Sequence, residues 1–581
     1  MTATQGCIPA EGHAMDRTAT PARREDEVEG ETVRPRRQAL ALACSGLLAP
    51  ALPARAAVEA AAPLLAGLDS HRFEVESADP RLRRWFAQGL LLAHGFNGAE
   101  AVRAFEAALA LDPRCASAWW ALAWALGPTI NADMDAGAAA RVSEALTKAR
   151  RHAGRAPAVR QAAIQALSLR HPTPDVLDEE AYAAAMDRQV RRHPASAELA
   201  FLAAEARLNL HPYDWWLPGG GAQPWTAGIE ALLARALRLD PRHPGAHHYW
   251  IHLQEASPHP HKALPSADYL AHAVPGSGHL LHMPSHIYMR VGRYDDAILA
   301  NQRATAADAR YLARVDAGTD AQSAYRVGYV AHNQHFLWAA AAMAGRRQLA
   351  LQAADAARPV ACGPGGRDPG SAIVQHYAVL PFFTRLRFGL WQALLHDTPP
   401  PDGSAPYPLA MWRYARGAAL ARGGQIEPAR REFEGLQAVA ADPALAALKI
   451  KNLNPAAQLL RIASLSLAAE IAHARSDQHA AVRALQQATE VEDGLTYDEP
   501  HLWLAPTRHA LADALLAAGR PAEAERACRE DLARYPANGW ALGGLAQALA
   551  AQGRQAEARR AEAAAGAAFH AAEQRPAGAR F

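Results

Sequence analysis

Ten of the chain's 26 histidines fall in one short stretch: His243, His247, His248, His252, His259, His261, His272, His279, His282 and His286. Two pairs stand out, His248 with His252 and His282 with His286, each four residues apart. On a helix that spacing stacks two imidazoles on one face. The two pairs are also in step, since 282 − 248 and 286 − 252 both give 34. Further along come His332, His335 and His376, and Glu255 and Met289 each lie three residues beyond a pair. Imidazoles gathered from several helices, with one carboxylate and no thiolate, suit zinc, copper, nickel or iron rather than calcium or magnesium. Six or more of them would serve two ions with about three imidazoles each, as in dicopper proteins. The plainer reading is a polar groove whose histidines were copied when a repeat was duplicated.

Positioning such a ladder requires helices that recur every 34 residues, and the chain contains them. In a unit starting at Leu82, Trp85, Gly89, Leu92, Ala101, Phe105, Ala108 and Pro113 occupy places 4, 8, 11, 20, 24, 27 and 32, with Trp85 first and Pro113 closing the second helix. These are the signature places of a tetratricopeptide repeat, which the segment resembles. Small residues at places 8 and 20 let two antiparallel helices approach, and large ones fill the remaining gap. Further units start at Ala116, Pro244, Gly278, Ala331, Gln375, Ala410, near Ile462, at Ala505 and at Gly539. Between 128 and 243 the frame is degenerate while helical periodicity persists. The expected fold is all-α, a right-handed superhelical solenoid over residues 65–570, followed by a C-terminal tail, 571–581.

In this frame His248 and His282 share place 5, with His335, while His252 and His286 share place 9. His332 and His376 take place 2, and Glu255 and Met289 place 12. The resemblance to tetratricopeptide proteins implies that places 2, 5, 9 and 12 line the concave groove. Trp120 and Trp124, at places 5 and 9 of the unit from Ala116, then form an aromatic wall there, suited to a stacked ligand or to ordinary packing. Three Gly/Pro/Trp-rich loops interrupt the solenoid, 127–137, 211–225 and 362–371. With Trp215, Trp216 and Trp225, the second is expected to cover the groove. In TYDEPHLW (496–503), Asp498 and Glu499 precede a helix carrying Arg508, and a structural salt link is expected there.

The 581 residues, 50% hydrophobic with a formal charge of +2, exceed what one compact core holds, about 250–300 residues, so repetition is required. Without a basic run the chain does not read as a nucleic-acid binder, and no apolar stretch after residue 60 is long enough to span a bilayer. Residues 1–33 read as a disordered extension. Residues 34–56, with Arg36-Arg37, a mild Ala/Leu segment and Ala54-Arg55-Ala56, resemble a twin-arginine signal peptide, so export to the periplasm is expected. Removal would leave Cys115, Cys362 and Cys528, too few and too scattered for a disulfide framework or a thiolate zinc site.

The strings HPGAHHYWIHLQEAS, HLLHMPSHIYMRVGRYDDA and AHNQHFLWAAAAMAGR resemble a family of bacterial tetratricopeptide proteins of unassigned function, across nearly the whole chain from residue 86 to 549. Members of that family often carry Phe-Asn-His where this chain has Phe96-Asn97-Gly98, a place expected to face the helix pair rather than the groove. The resemblance brings no reaction with it. The expected function is an exported repeat protein that binds a peptide or protein in its groove and holds a transition metal (copper, zinc or iron) on His248, His252, His282, His286, His332, His335, His376 and Glu255. The alternative is a metal-dependent oxidase or hydrolase acting on a small-molecule substrate there.

Overall fold

A computed structural model describes residues 62–581, apart from 218, 316–324, 362–370, 401–404, 452 and 504. The extension 1–33, the signal-like segment 34–56, Cys362 and most of the loop 362–371 lie outside the described residues. The described chain is all-α, an array of antiparallel helix pairs, with a two-residue antiparallel ladder between Lys449–Ile450 and Asn454–Pro455.

The first pair, Pro80–His94 and Gly98–Leu111, shows why the 34-residue frame folds as it does. Asp79 caps the first helix by accepting from the Arg81 N–H at 2.8 Å, and Pro80 at its first position needs no donor. Gly89 lies against the Phe105 ring so closely that an added Cβ would sit 2.4 Å from it. Trp85, Phe86 and Phe105 are buried between the helices. The same pairing recurs in Ala331–Met343 with Arg347–Ala361, Pro406–Arg422 with Ile426–Ala440, Ala456–Ala474 with Gln478–Asp493, Thr507–Ala517 with Pro521–Arg534, and Gly539–Ala551 with Gln555–Ala568. The stretch whose frame is degenerate holds two further pairs, Ala158–Arg170 with Glu179–Arg192 and Ala197–Leu210 with Thr226–Leu239. Helical burial there is supplied by residues such as Ile164, Leu167, Met186 and Phe201 rather than by the signature places.

In the unit from Gly278 the first helix is divided into Gly278–His282 and Pro284–Val291, because Pro284 has no N–H to continue the ladder. It then turns at Gly292, φ +79°, into Tyr294–Leu312.

The array also folds back on itself. Trp540 Nε1 donates to the Ala342 and Met343 carbonyls at 3.1 and 3.2 Å, and the Tyr294 hydroxyl donates to Pro536 O at 3.0 Å. The tail is part of this packing: Arg580 is paired with Glu470 and Asp513, and Phe581 packs on Trp540 and Phe388. No helix among the described residues is long and apolar enough to cross a membrane.

Candidate metal centre

Two groups of three histidines, His248/His252/His279 and His282/His286/His332, each bring ligand nitrogens within 4.8 Å of one another. The helix Pro244–Glu255 carries His248 and His252; the divided helix carries His279, His282 and His286; Ala331–Met343 carries His332. The triads abut, with ring centroids 5.6 Å apart for His252–His286 and for His279–His282.

In four of the six rings the Nδ1 partner determines which nitrogen faces inward. His248 Nδ1 donates to the His94 carbonyl at 2.6 Å. His282 Nδ1 lies 2.7 Å from Asn301 Oδ1, and the Asn301 amide nitrogen is itself spent on Ala297 O at 2.8 Å, so the oxygen is the acceptor. His252 and His286 both donate through Nδ1 to the same carboxylate: His252 reaches Glu255 Oε1 at 3.1 Å, and His286 bonds Oε2. With the proton on Nδ1, Nε2 presents a lone pair. His282 Nε2 and His286 Nε2 then face each other as lone pairs at 2.9 Å, whereas His248 Nε2 lies 3.1 Å from His279 Nε2, and His279, whose Nδ1 has no partner among the described residues, is free to carry its proton on Nε2 and donate it to His248. The His282 and His286 lone pairs repel at that distance unless a cation lies between them. Nitrogens so spaced subtend about 90–100° at an ion roughly 2.0 Å from each. The buried His252 Nε2 has no hydrogen-bond partner among the described residues.

Burial disfavours the charged form of His248, His279, His282, His286 and His332. It drives the pKa of His248, His279, His282 and His332 well below the ordinary value, and neighbouring imidazoles push the same way. Glu255, held between His286 and His252, stays ionised because the imidazoles outweigh its own burial. Phe96 packs on the first triad, with centroids 4.6 Å from His248 and 5.3 Å from His279. Phe336 packs on the second, 4.6 Å from His282, 4.4 Å from His286 and 4.9 Å from His332.

The remaining residues singled out in the sequence are placed differently. His335 and His376 pair with each other, centroids 5.5 Å apart, outside both triads, and His376 Nδ1 is 3.2 Å from the Tyr407 hydroxyl. Glu255 orients ligands of both triads, with both its oxygens taken up by imidazoles. Met289 is buried in an apolar cluster with Ile287 and Phe336. Trp120 and Trp124 stack on each other at 5.7 Å, with the Arg160 guanidinium 3.8 Å over Trp120 and His94 against Trp124, so this face is filled by the protein itself. Phe96 faces the histidines, not merely the helix pair: its φ of +57° turns the ring onto His248. Arg508 pairs with Asp493 and Glu530, whereas Asp498 bonds Lys451 at 2.8 Å. Cys115 and Cys528 are buried, and burial pushes both thiols up to about 12.

Sequence reasoning did not single out His279 as a ligand, although it occupies place 2 of its unit as His332 does. It also missed Asn301, which belongs to a second helix and carries no periodic signal.

The loop 211–225 packs on the His248 helix: Trp216 Nε1 donates to Leu253 O at 2.6 Å, and Trp215 is buried.

No protein-family model matches the chain, and no curated protein matches it. Among solved structures, the human IFIT1 dimer with m7Gppp-AAAA is similar at 11% identity over 85% of this chain and 91% of that one, with a TM-score of 0.29. The yeast Tom70 is similar at 10% identity over 82% of this chain and 90% of that one, with a TM-score of 0.27. Both are too distant to say anything about what this chain binds.

Proposed function

We propose that this tetratricopeptide-type solenoid carries a dinuclear copper centre, one ion per histidine triad, and uses it to bind and reduce dioxygen at the expense of an organic substrate. The observation that carries this reading is the facing of two lone-pair nitrogens, His282 Nε2 on His286 Nε2 at 2.9 Å, beside a second triad whose His248 and His279 Nε2 atoms lie 3.1 Å apart. Copper is favoured by charge. Six neutral imidazoles and one shared carboxylate make a buried site with little negative charge, and two cuprous ions bring half the charge of two zinc ions into it. Iron of this type recruits carboxylate directly, and Glu255 is already spent on His252 and His286. Loading the metal in the folded state before translocation would suit export through the segment 34–56.

The test is elemental analysis of the protein purified without an affinity histidine tag, followed by anaerobic copper(I) reconstitution. The expected result is two equivalents of copper, lowered to about one by His332→Ala and lost in the His248→Ala/His282→Ala double variant. Protein that folds but takes up no copper, or takes up the same amount in all variants, refutes the centre. The groove would then stand as a peptide- or protein-binding surface.

A further inference from the structure

Two loops and a π-helical segment meet beside the first triad. Tyr329 sits in the π-helical segment Tyr325–Val330, its ring T-shaped with His279, 4.8 Å between centroids at 71°. Tyr213, in the loop 211–225, stands perpendicular to His252 at 6.2 Å. Both phenol hydroxyls end on one side chain: Asn131 Nδ2 donates to the Tyr329 oxygen at 2.8 Å, and the Tyr213 hydroxyl donates to Asn131 Oδ1. Asn131 lies in a tight turn closed by the bridge between Thr129 and Ala132. The clasp therefore spends both phenol oxygens on Asn131 rather than on the imidazoles.

Tyr213 keeps this position at φ +58°, a left-handed backbone that costs a tyrosine about 1 kcal/mol or more. It is also 43% exposed, so the clasp lies at the surface and not in the core. Among the described residues no comparable clasp bonds over the second triad, and its His332 is half-buried. The walls are rings: Phe96 is 5.8 Å from Tyr329, and Phe336 closes the other side. A charged ligand would lose its water here and meet a carboxylate already engaged by two imidazoles, which disfavours it. A flat neutral ring meets edge-to-face partners.

We propose that the ligand of the centre is a small phenol, whose ring takes the place Tyr329 now fills and whose hydroxyl turns inward to the histidine nitrogens once the Tyr213–Asn131–Tyr329 clasp opens. This rests on the dinuclear copper reading for its chemistry, though not for its pocket. With a catechol, each molecule gives up two hydroxyl protons and two electrons to become a quinone. Dioxygen takes the four protons and four electrons from two such molecules and leaves as two waters.

The experiment uses the full chain and two variants, Asn131→Ala, which cuts the clasp without touching a ring, and Tyr329→Ala, which empties the place itself. Binding of 4-fluorophenol is followed by fluorine NMR on metal-free and copper-loaded protein, with 4-fluorobenzoate as the charged counterpart. Oxidation of 4-methylcatechol is followed on the loaded samples, with copper content measured on each. Both variants are expected to bind 4-fluorophenol at least tenfold tighter than the unaltered chain, to ignore 4-fluorobenzoate, and to oxidise 4-methylcatechol faster at equal copper content. Copper-loaded variants that bind the phenol no better than the unaltered chain, or bind the benzoate equally well, overturn the phenol assignment. If no sample takes up copper, the metal reading fails alone, and the fluorophenol comparison on metal-free protein still decides the pocket.

Discussion

At the residue scale, Glu255 ties the two triads together, since it accepts from His252 in one and His286 in the other. Glu255→Gln keeps the shape but offers one acceptor where two are needed, so one imidazole loses its orientation. Copper affinity is expected to fall about 10–100-fold, read by competition with a copper(I) chelator. Asn301→Leu should weaken the His282 triad alone, so that one of two binding steps shifts and the other stays. A different buried acid sets a pH dependence. Glu205, within 3.4 Å of the Tyr182 hydroxyl and 2.6 Å of Asn209 Nδ2, is raised by burial from 4.5 to about 7. Between those values the folded chain holds a proton that the unfolded chain has released, so stability falls as pH rises through that window and levels off above it. Glu205→Gln should flatten the decline by up to roughly 3 kcal/mol, seen as a smaller difference in Tm between pH 5 and pH 8.

At the element scale, helix pairs are held at a distance fixed by small residues, and the histidine helices inherit that distance. Gly89→Leu would drive a side chain into Phe105, and the overpacking should cost about 1–3 kcal/mol, measured as a lowered urea midpoint. That pair lies directly behind the first triad, because the His94 carbonyl at its end accepts from His248. A shift there is therefore expected to loosen copper as well as the fold, unlike an equal destabilisation placed in the distant pair Gly539–Ala551 with Gln555–Ala568.

At the scale of the whole molecule, the solenoid does not remain an open coil. Trp540 is fully buried against Ala342 and Met343, about 200 residues away in sequence, and Arg387 lies 3.8 Å over its ring. Trp540→Ala should cost about 3–5 kcal/mol and release the last repeats, with faster hydrogen exchange in 539–551 and in 341–346. The triads, built from residues 248–332, should keep their copper in that variant, which separates closure of the array from assembly of the site.

Much of this architecture was legible in the order of residues, because each repeat folds by local contacts and writes its small and large residues at set intervals. The pairs His248/His252 and His282/His286 were legible for the same reason: a four-residue spacing and a 34-residue period place imidazoles on one face of adjacent helices. What period could not decide was membership. His279 and His332 share a place and both join triads, whereas His335 shares the place of His248 and His282 and turns instead to His376. That choice depends on how each successive helix packs on its neighbours, and the helix that carries three of the ligands is itself divided at Pro284. The Glu255 bridge, the Asn301 acceptor and the Tyr213–Asn131–Tyr329 clasp bring together residues from separate helices and loops, up to 198 apart along the chain. Helix periodicity carries no information about such meetings; only the packed tertiary structure does.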